Sequence, residues 1–133
     1  MFQTHIPVDF LRDESRKCGT AEAIAFPRST AELVAAVREA AVRGKPITLQ
    51  GSRTGISAGA VPDGGVIVNL SKMDRILNMR TDVLGHAFLR VQAGLPLIAL
   101  RRHLATMERA GTETRPYVFL PDPTETSASL GGS

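Results

Sequence analysis

The stretch GSRTGISAGAVPDGG, residues 51 to 65, holds five glycines, one proline and one charge of each sign between two apolar, strand-like runs. A backbone this rich in glycine can turn its amides toward one point, because few side chains stand in the way. A ring of inward amides binds anions. The hydroxyls of Ser52, Thr54 and Ser57 add donors between the glycines. The stretch therefore predicts a backbone cradle for a diphosphate.

Two standard phosphate loops do not match this stretch. The Walker loop ends in Gly-Lys followed by Ser or Thr, and no lysine follows any of these glycines. The dinucleotide fingerprint opens a helix, whereas residues 51 to 65 lead into the strand-like run VIVNL, residues 66 to 70. On glycine spacing alone, a long flexible surface loop stays open as the alternative.

The residues on either side of this stretch predict strands that alternate with a helix. The predicted strands are AIAF (23 to 26), PITLQ (46 to 50) and VIVNL (66 to 70), the last apolar enough for burial on both faces. A strand, a helix and a strand within so few residues are typical of a right-handed parallel unit.

The helix between the first two strands has a start signal and a stop signal. Ser29 and Glu32 have the spacing of a capping box, in which each side chain bonds the other residue's amide. Gly44 supplies a left-handed end, and Pro46 prevents the helix from resuming. Its predicted core face consists of Leu33, Val34, Val37, Ala40 and Ala41.

The second half of the chain predicts a mixed pattern. SKMDRIL (71 to 77) suggests a helical turn or an irregular link, and GHAFLRVQA (85 to 93) suggests a strand antiparallel to the residues before it. Pro96 fits the first position of a second helix that ends at Gly111. Its apolar face holds Leu97, Leu100, Leu104 and Met107. YVFLP (117 to 121) is the last predicted strand.

Composition narrows the partners and the compartment. The net charge is +3, but the thirteen arginines are scattered, and one Tyr with no Trp offers little stacking surface, so we expect no nucleic-acid partner. No run approaches the roughly 18 apolar residues of a spanning helix. Because the start does not resemble a signal peptide and Cys18 is single, we expect a cytoplasmic protein. His5, His86 and His103 lack ligand spacing, so we expect no metal.

Three motifs in a fixed order resemble a known family. The segment FPRSTAELVAAVREAAVRGKPITLQGSRTGISAGAVPDGGVIVNLSKMDRIL resembles the start of the PCMH-type FAD-binding domain. That domain is shared by vanillyl-alcohol oxidase, p-cresol methylhydroxylase and the glycolate oxidase and D-lactate dehydrogenase flavoproteins. VQAGLPLIALRRHL is similar to a later strand-helix segment of the family, and LPDPTETSASLGGS to its second flavin loop.

The resemblance implies an α+β (α/β) PCMH-type FAD-binding fold. Residues 1 to 70 would form a small parallel βαβ subdomain, and residues 71 to 133 the start of a subdomain with a mixed or antiparallel sheet. FAD would lie extended between the two. The residues that the resemblance assigns to FAD are Gly51, Ser52, Arg53, Thr54, Gly55, Ile56, Ser57, Gly59, Ala60, Pro121, Asp122, Ser129, Leu130, Gly131 and Gly132.

The sequence departs from the family pattern at several positions. Thr54 stands where some members carry a histidine that tethers the flavin, which implies non-covalent FAD. Arg53 stands where glycine is common, so it is either an exposed side chain or a cation beside the diphosphate. Ala58 replaces another common glycine. The segment from Asp13 to Lys17 resembles the family's opening DES segment and is interpreted as a solvated helix end, next to a buried or half-buried Cys18.

The resemblance also implies a function. We expect the FAD-binding portion of an FAD-linked oxidoreductase that oxidises a small 2-hydroxy acid, with the flavin supplying the hydride chemistry. No catalytic residue is assigned, because the family's substrate domain lies beyond the second flavin loop, where the sequence ends. The alternative is a standalone module of this fold, without catalysis, that acts in binding or subunit association. We expect a C-terminal continuation or a second subunit to complete it, and self-association of the isolated chain through exposed apolar surface.

Overall fold

A computed structural model describes residues 1 to 109, 117, 119 and 125 to 132. Among these residues the helices and strands are β1 (Ala23–Ala25), α1 (Thr30–Val42), β2 (Ile47–Gln50), β3 (Val66–Asn69), β4 (Ile76–Thr81), β5 (Ala87–Val91) and α2 (Leu97–Arg109). Short 3-10 helices cover Val8–Leu11 and Leu130–Gly132.

The first sheet is parallel, with β3 between β1 and β2. Val66 at the start of β3 pairs with Ala23 on one side and with Ile47 on the other. All residues of β3 are buried, as expected for a central strand of a parallel sheet. The predicted strands and their parallel arrangement are confirmed, and the third strand lies between the two that α1 connects.

Helix α1 begins and ends close to the predicted positions. Ser29 Oγ accepts a hydrogen bond from the Glu32 amide at 3.2 Å. The reciprocal bond differs from a capping box, because the Glu32 carboxylate accepts from the amide of Arg28 at 2.8 Å, one residue before the cap. Gly44 has φ +61° and ends the helix as predicted.

The face of α1 that packs on the sheet differs from the predicted one. Ala36 and Ala40 are buried against β1 and β3, and Leu33 is partly buried beside them. Val34 and Val37 are 41% and 40% exposed, and Ala41 is exposed. The prediction was wrong at these three positions because the small alanines, rather than the bulkier valines, let the helix lie close to the sheet.

The second sheet is an antiparallel hairpin in which Met79 of β4 pairs with Leu89 of β5. The predicted strand and its antiparallel partner are confirmed. The prediction of a helical turn or link was wrong for Ile76 and Leu77, which belong to β4. The alternation of β4 is interrupted by an irregularity between Ile76 and Asn78, which hides the strand pattern in the sequence.

Helix α2 packs against this hairpin through its first turns. Leu97 and Leu100 are buried and pack with partly buried Leu89 and Val91 of β5. The helix begins at Leu97, so Pro96 is the N-cap residue and not the first helical residue as predicted. The carbonyl of Pro96 accepts the first helical hydrogen bond, from the Leu100 amide at 3.2 Å. The predicted helix end at Gly111 lies outside the described residues, as do residues 118, 120 and 121 of the last predicted strand.

Two kinds of feature are absent from the described part of the chain. No helix there is long and apolar enough to cross a membrane. No group of three or more His, Cys, Asp or Glu side chains among those residues could hold a metal ion. Cys18 is exposed rather than buried as predicted. Its backbone forms an isolated antiparallel β-bridge with that of Arg12.

Candidate functional site

The glycine-rich loop leaves the parallel sheet at the carboxyl end of β2, beside the carboxyl end of β3. This edge is where parallel α/β sheets bind their ligands, because loops diverge there and leave a crevice. We call residues 51 to 60 the first loop. Its shape depends on what holds its two ends.

A buried pair of side-chain amides holds the first loop. Gln50 ends β2, Asn69 ends β3, and the two residues are paired in register and fully buried. Asn69 Nδ2 donates to Gln50 Oε1 at 3.2 Å. Gln50 Nε2 in turn donates to the carbonyl of Ala60 at 2.7 Å, which fixes the far end of the loop.

Asn69 holds the near end of the loop. Its Nδ2 also donates to the carbonyl of Gly51 at 3.3 Å, and its Oδ1 accepts from the amide of Ser71 at 3.0 Å. The pair therefore joins both ends of the first loop to the sheet. Sequence reasoning missed both residues, although an amide that ends each of two apolar strands was a usable signal.

Asp13 is a second anchor for the far end of the first loop. Its carboxylate accepts from the amide of Ala60 at 3.4 Å and from that of Ser15 at 2.9 Å. Asp13 is only 8% exposed, so the interpretation as part of a solvated helix end was wrong for this residue, whereas Glu14, Arg16 and Lys17 are exposed as expected. The backbone of this segment folds back so that Arg12 and Cys18 form an isolated antiparallel β-bridge. The Asp13 carboxylate lies within this bend. Hydrogen bonds from Ser15, chiefly through its side chain, and from Ala60 lower the pKa of Asp13.

Between these anchors the amides of residues 52 to 59 donate no backbone hydrogen bond to any other described residue. A Cβ added to Gly55 would meet no atom within 4 Å, so the loop faces open space there. Backbone amides need partners, and here water or a ligand must supply them. A fixed loop with free amides has donors available for an anion.

The start of α2 and the residues before it bring a second segment, 129 to 132, to the same place. The amide of Leu97 donates to Ala128 O at 3.0 Å, and the amide of Gly131 donates to Ala93 O at 2.9 Å. Ser129 is thereby pressed against Gly51 so closely that a Cβ on Gly51 would overlap the Ser129 hydroxyl. Glycine at position 51 permits this contact, and a larger residue would displace the Ser129 side chain.

The two segments line one groove of about 260 Å³. The predicted residues that line it are Gly51, Ser52, Arg53, Thr54, Gly55, Ser57, Gly59, Ala60, Ser129 and Gly132. Leu49 and Ala128 also line it and were not predicted.

Three further predicted site residues, Ile56, Leu130 and Gly131, do not line the groove. Ile56 is 82% exposed, and Leu130 packs with the leucines of α2. A Cβ on Gly131 would lie 2.6 Å from Ala93 Cβ, so this glycine serves the contact with the chain before α2. Pro121 and Asp122 lie outside the described residues.

Arg53 is neither a free surface side chain nor a cation aimed only at the groove. Its guanidinium carbon lies 4.3 Å from the centroid of the Phe10 ring. Desolvation lowers the pKa of Arg53, and the nearby Asp9 carboxylate opposes that effect. Arg53 and Ala58 both have positive φ, at 62° and 65°, a region where glycine is unstrained. These are the two positions at which the family resemblance led us to expect glycine.

A family model described as an FAD binding domain matches residues 21 to 115. The chain belongs to the PCMH-type FAD-binding family. The parallel unit followed by an antiparallel hairpin agrees with the fold of that family. The free amides of the first loop also fit the diphosphate of FAD, because that group is anionic and presents oxygen acceptors only.

Curated relatives are similar over nearly the whole chain. A D-lactate dehydrogenase of Anaerostipes hadrus is 32% identical over 128 residues, which cover 94% of this chain and 25% of that protein. An uncharacterized FAD-linked oxidoreductase of Mycobacterium tuberculosis is 33% identical over 134 residues, covering 96% of this chain and 26% of that protein. The chain thus spans about a quarter of the length of these relatives.

One solved structure is similar to this chain over most of its length. The flavoenzyme of shunt product recycling in caerulomycin biosynthesis has a TM-score of 0.66 at 28% identity, covering 93% of this chain and 23% of that one. These similarities agree with the assignment of the chain to the PCMH-type FAD-binding family.

The amide pair predicts a large effect of replacing Asn69. In the Asn69→Ala variant Gln50 Oε1, Gly51 O and Ser71 N lose a buried partner, so the free energy of unfolding should fall by about 2 to 3 kcal/mol. Urea unfolding measures it. Asn78→Ala, at an exposed position of β4, is the matched control and should change stability little. Equal losses in the two variants would contradict the anchoring role.

The lowered pKa of Asp13 predicts an acid-sensitive contribution to stability. A carboxyl with a lowered pKa in the folded state stabilises the fold above its ordinary value of 3.8 and loses this effect as pH falls through the lower folded value. Wild type should therefore exceed Asp13→Asn in free energy of unfolding at pH 7, with the gap closing at acid pH. Urea unfolding from pH 7 to pH 3 measures the gap.

Glu14→Gln removes the neighbouring exposed carboxylate and is the control for this experiment. It should leave the free energy of unfolding almost unchanged across the same pH range. A constant gap between wild type and Asp13→Asn at every pH would show that the charge of Asp13 is not what holds Ala60.

Proposed function

We propose that this chain forms the FAD-binding portion of an FAD-linked oxidoreductase, with the FAD diphosphate held by the first loop and residues 129 to 132 approaching from the other side. The observation that carries the proposal is the set of free amides at residues 52 to 59, in a loop anchored at both ends by Gln50 and Asn69. The hydroxyls of Ser52, Thr54 and Ser57 in the same groove support it as further donors.

The binding residues of the proposal are the groove-lining set together with Ile56, Pro121, Asp122, Leu130 and Gly131 from the family resemblance. We propose that residues 1 to 70 form the parallel βαβ subdomain and that residues 71 to 133 form the start of the second subdomain. The contact between Gly51 and Ser129 supports a binding site made from both.

We further propose that FAD is held without a covalent bond. A covalent tether needs a side-chain nucleophile at the flavin. The described residues that line the groove include no histidine, cysteine or tyrosine, and Thr54 stands where the family's tethering histidine would lie. Hydrogen bonds from backbone amides and hydroxyls would then carry the affinity.

The proposed reaction is the oxidation of a small 2-hydroxy acid, a class supported by the D-lactate dehydrogenase among the relatives. Bound FAD supplies the hydride-accepting chemistry, and the protein here supplies binding and orientation. Arg53 is the single ionisable side chain among the described residues of the groove, so this groove offers no carboxylate or imidazole for proton transfer.

A charge placed in the cradle tests the proposal. Gly55 has open space around it, so Gly55→Asp should fold normally. Its carboxylate would face the diphosphate, and FAD affinity should fall by about tenfold or more, since a like-charge contact costs over about 1.4 kcal/mol. Titration of the purified chain with FAD, followed by flavin fluorescence, measures the dissociation constant.

The isosteric Gly55→Asn variant separates charge from size in this test. It should bind FAD much more tightly than Gly55→Asp, because its side chain has the same shape without the charge. Equal affinities of wild type and Gly55→Asp would place the diphosphate elsewhere and overturn the proposed site.

Self-association of the isolated chain stays a prediction. The hairpin of β4 and β5 exposes apolar side chains, including Val83 and Leu84 at its turn and Phe88 on β5. Exposed apolar surface of this kind favours association. Light scattering over a wide concentration range should show a mass above that of the monomer, and a constant monomer mass would contradict the prediction.

A further inference from the structure

The N-terminal segment, residues 8 to 13, lies outside the residues matched by the family model yet contacts the first loop and its anchor. It consists of the 3-10 helix Val8–Leu11 followed by Arg12 and Asp13. We propose that this segment is a positioning element of the diphosphate cradle: it sets the shape of the first loop without touching the ligand. The inference rests on the proposed FAD site.

The first contact runs through the amide anchor. Gln50 Nε2 donates one hydrogen to the carbonyl of Phe10 at 2.8 Å and the other to the carbonyl of Ala60 at 2.7 Å. Because Gln50 Oε1 is occupied by Asn69, the orientation of the Gln50 amide is fully determined. The carbonyl of Phe10 is one of the groups that determine it.

The second contact fixes the near half of the loop. The Phe10 ring lies under the guanidinium of Arg53 at 4.3 Å, a cation–π geometry. Phe26, which follows β1, meets the Phe10 ring edge-on with centroids 5.2 Å apart. The Phe10 ring is therefore held by the residue that follows β1, and it contacts a loop residue that has a strained positive φ.

The third contact fixes the far end of the loop. The backbone amide of Ala60 donates to Asp13, and its carbonyl accepts from Gln50. Both polar groups of this residue are thus fixed, one by the N-terminal segment and one by the sheet.

The segment is itself tied down on both sides. Gln3 and Ile24 exchange two backbone hydrogen bonds of 2.8 Å, which join the residues before the segment to β1. After the segment, the amide of Gly19 donates to Leu11 O at 2.8 Å and that of Thr20 to Pro62 O at 3.0 Å. The segment is therefore a fixed support against which the loop can be shaped.

This arrangement matters because the cradle has few bonds of its own. The amides of residues 52 to 59 donate to no other described residue, so external contacts must set their directions. A loop already shaped before binding loses less conformational entropy when the ligand arrives. By thermodynamic linkage, bound FAD and the docked segment should stabilise each other.

The test uses the full chain with two variants and one control. Phe10→Leu keeps an apolar side chain but removes the ring under Arg53. Asp13→Asn leaves one acceptor oxygen for two amides, of which that of Ser15 is the nearer at 2.9 Å, so the Ala60 amide at 3.4 Å loses its acceptor. Val8→Ala changes an exposed side chain of the same segment and is the matched control. Amide hydrogen exchange by NMR is measured without FAD, and the FAD dissociation constant by flavin fluorescence.

The expected result is local. In Asp13→Asn the amides of Ala60 and Val61 should exchange at least about fivefold faster relative to those of Ile24 and Leu70 in the sheet, which report any change in global stability. Both variants should also bind FAD more weakly. FAD affinity should fall by about fivefold or more, the lower range of typical coupling between sites. Val8→Ala should match wild type in both measurements.

Unchanged exchange at Ala60 and Val61 would overturn the inference, and so would uniform acceleration at all four amides, which indicates general destabilisation. Faster local exchange with wild-type FAD affinity would also overturn it. Failure of the wild-type chain to bind FAD would overturn the proposed function instead, and the exchange rates would still decide whether the segment positions the loop.

Discussion

The hydrogen bond between the side-chain amides of Gln50 and Asn69 is the interaction on which the rest of the site depends. Two neutral amides are buried at the ends of adjacent strands, where an unpaired polar group costs about 1 to 3 kcal/mol. Both are satisfied by each other and by Phe10, Gly51, Ala60 and Ser71. The bonds that offset this burial are the ones that close the glycine-rich loop at both ends.

A loop closed in this way can leave its own amides unused. Gln50 and Asn69 fix the ends of the loop to the parallel sheet. The segment before α2 places Ser129 against Gly51. Glycine at position 51 serves that close approach, whereas glycine at position 55 leaves open space for a ligand. The two glycines therefore have different roles in one cradle, which the spacing of the motif alone does not distinguish.

Much of the fold could be predicted from the sequence because it depends on local signals. Apolar runs gave β1, β2 and β3, Ser29 and Gly44 gave the bounds of α1, and the leucine spacing gave the buried face of α2. The groove was predicted in part, through the glycines and hydroxyls of the first loop. The roles of Gln50, Asn69 and Asp13 could not be predicted in the same way, because each depends on a partner far away in the chain, such as Ala60 for Asp13. The same limit applies to Arg53, whose stacking on Phe10 requires the N-terminal segment to be in place.

The measurement that tests the central claim most directly is an NMR titration of the ¹⁵N-labelled chain with FAD. If the anchored loop is the diphosphate site, the amide resonances of residues 52 to 59 should shift most, because their N–H groups would gain an anionic acceptor. The resonances of Ser129 to Gly132 should follow, because the ligand would lie against that segment. The amides of α1 should stay in place. Shifts concentrated on β4, β5 and α2, with the first loop unaffected, would contradict the account.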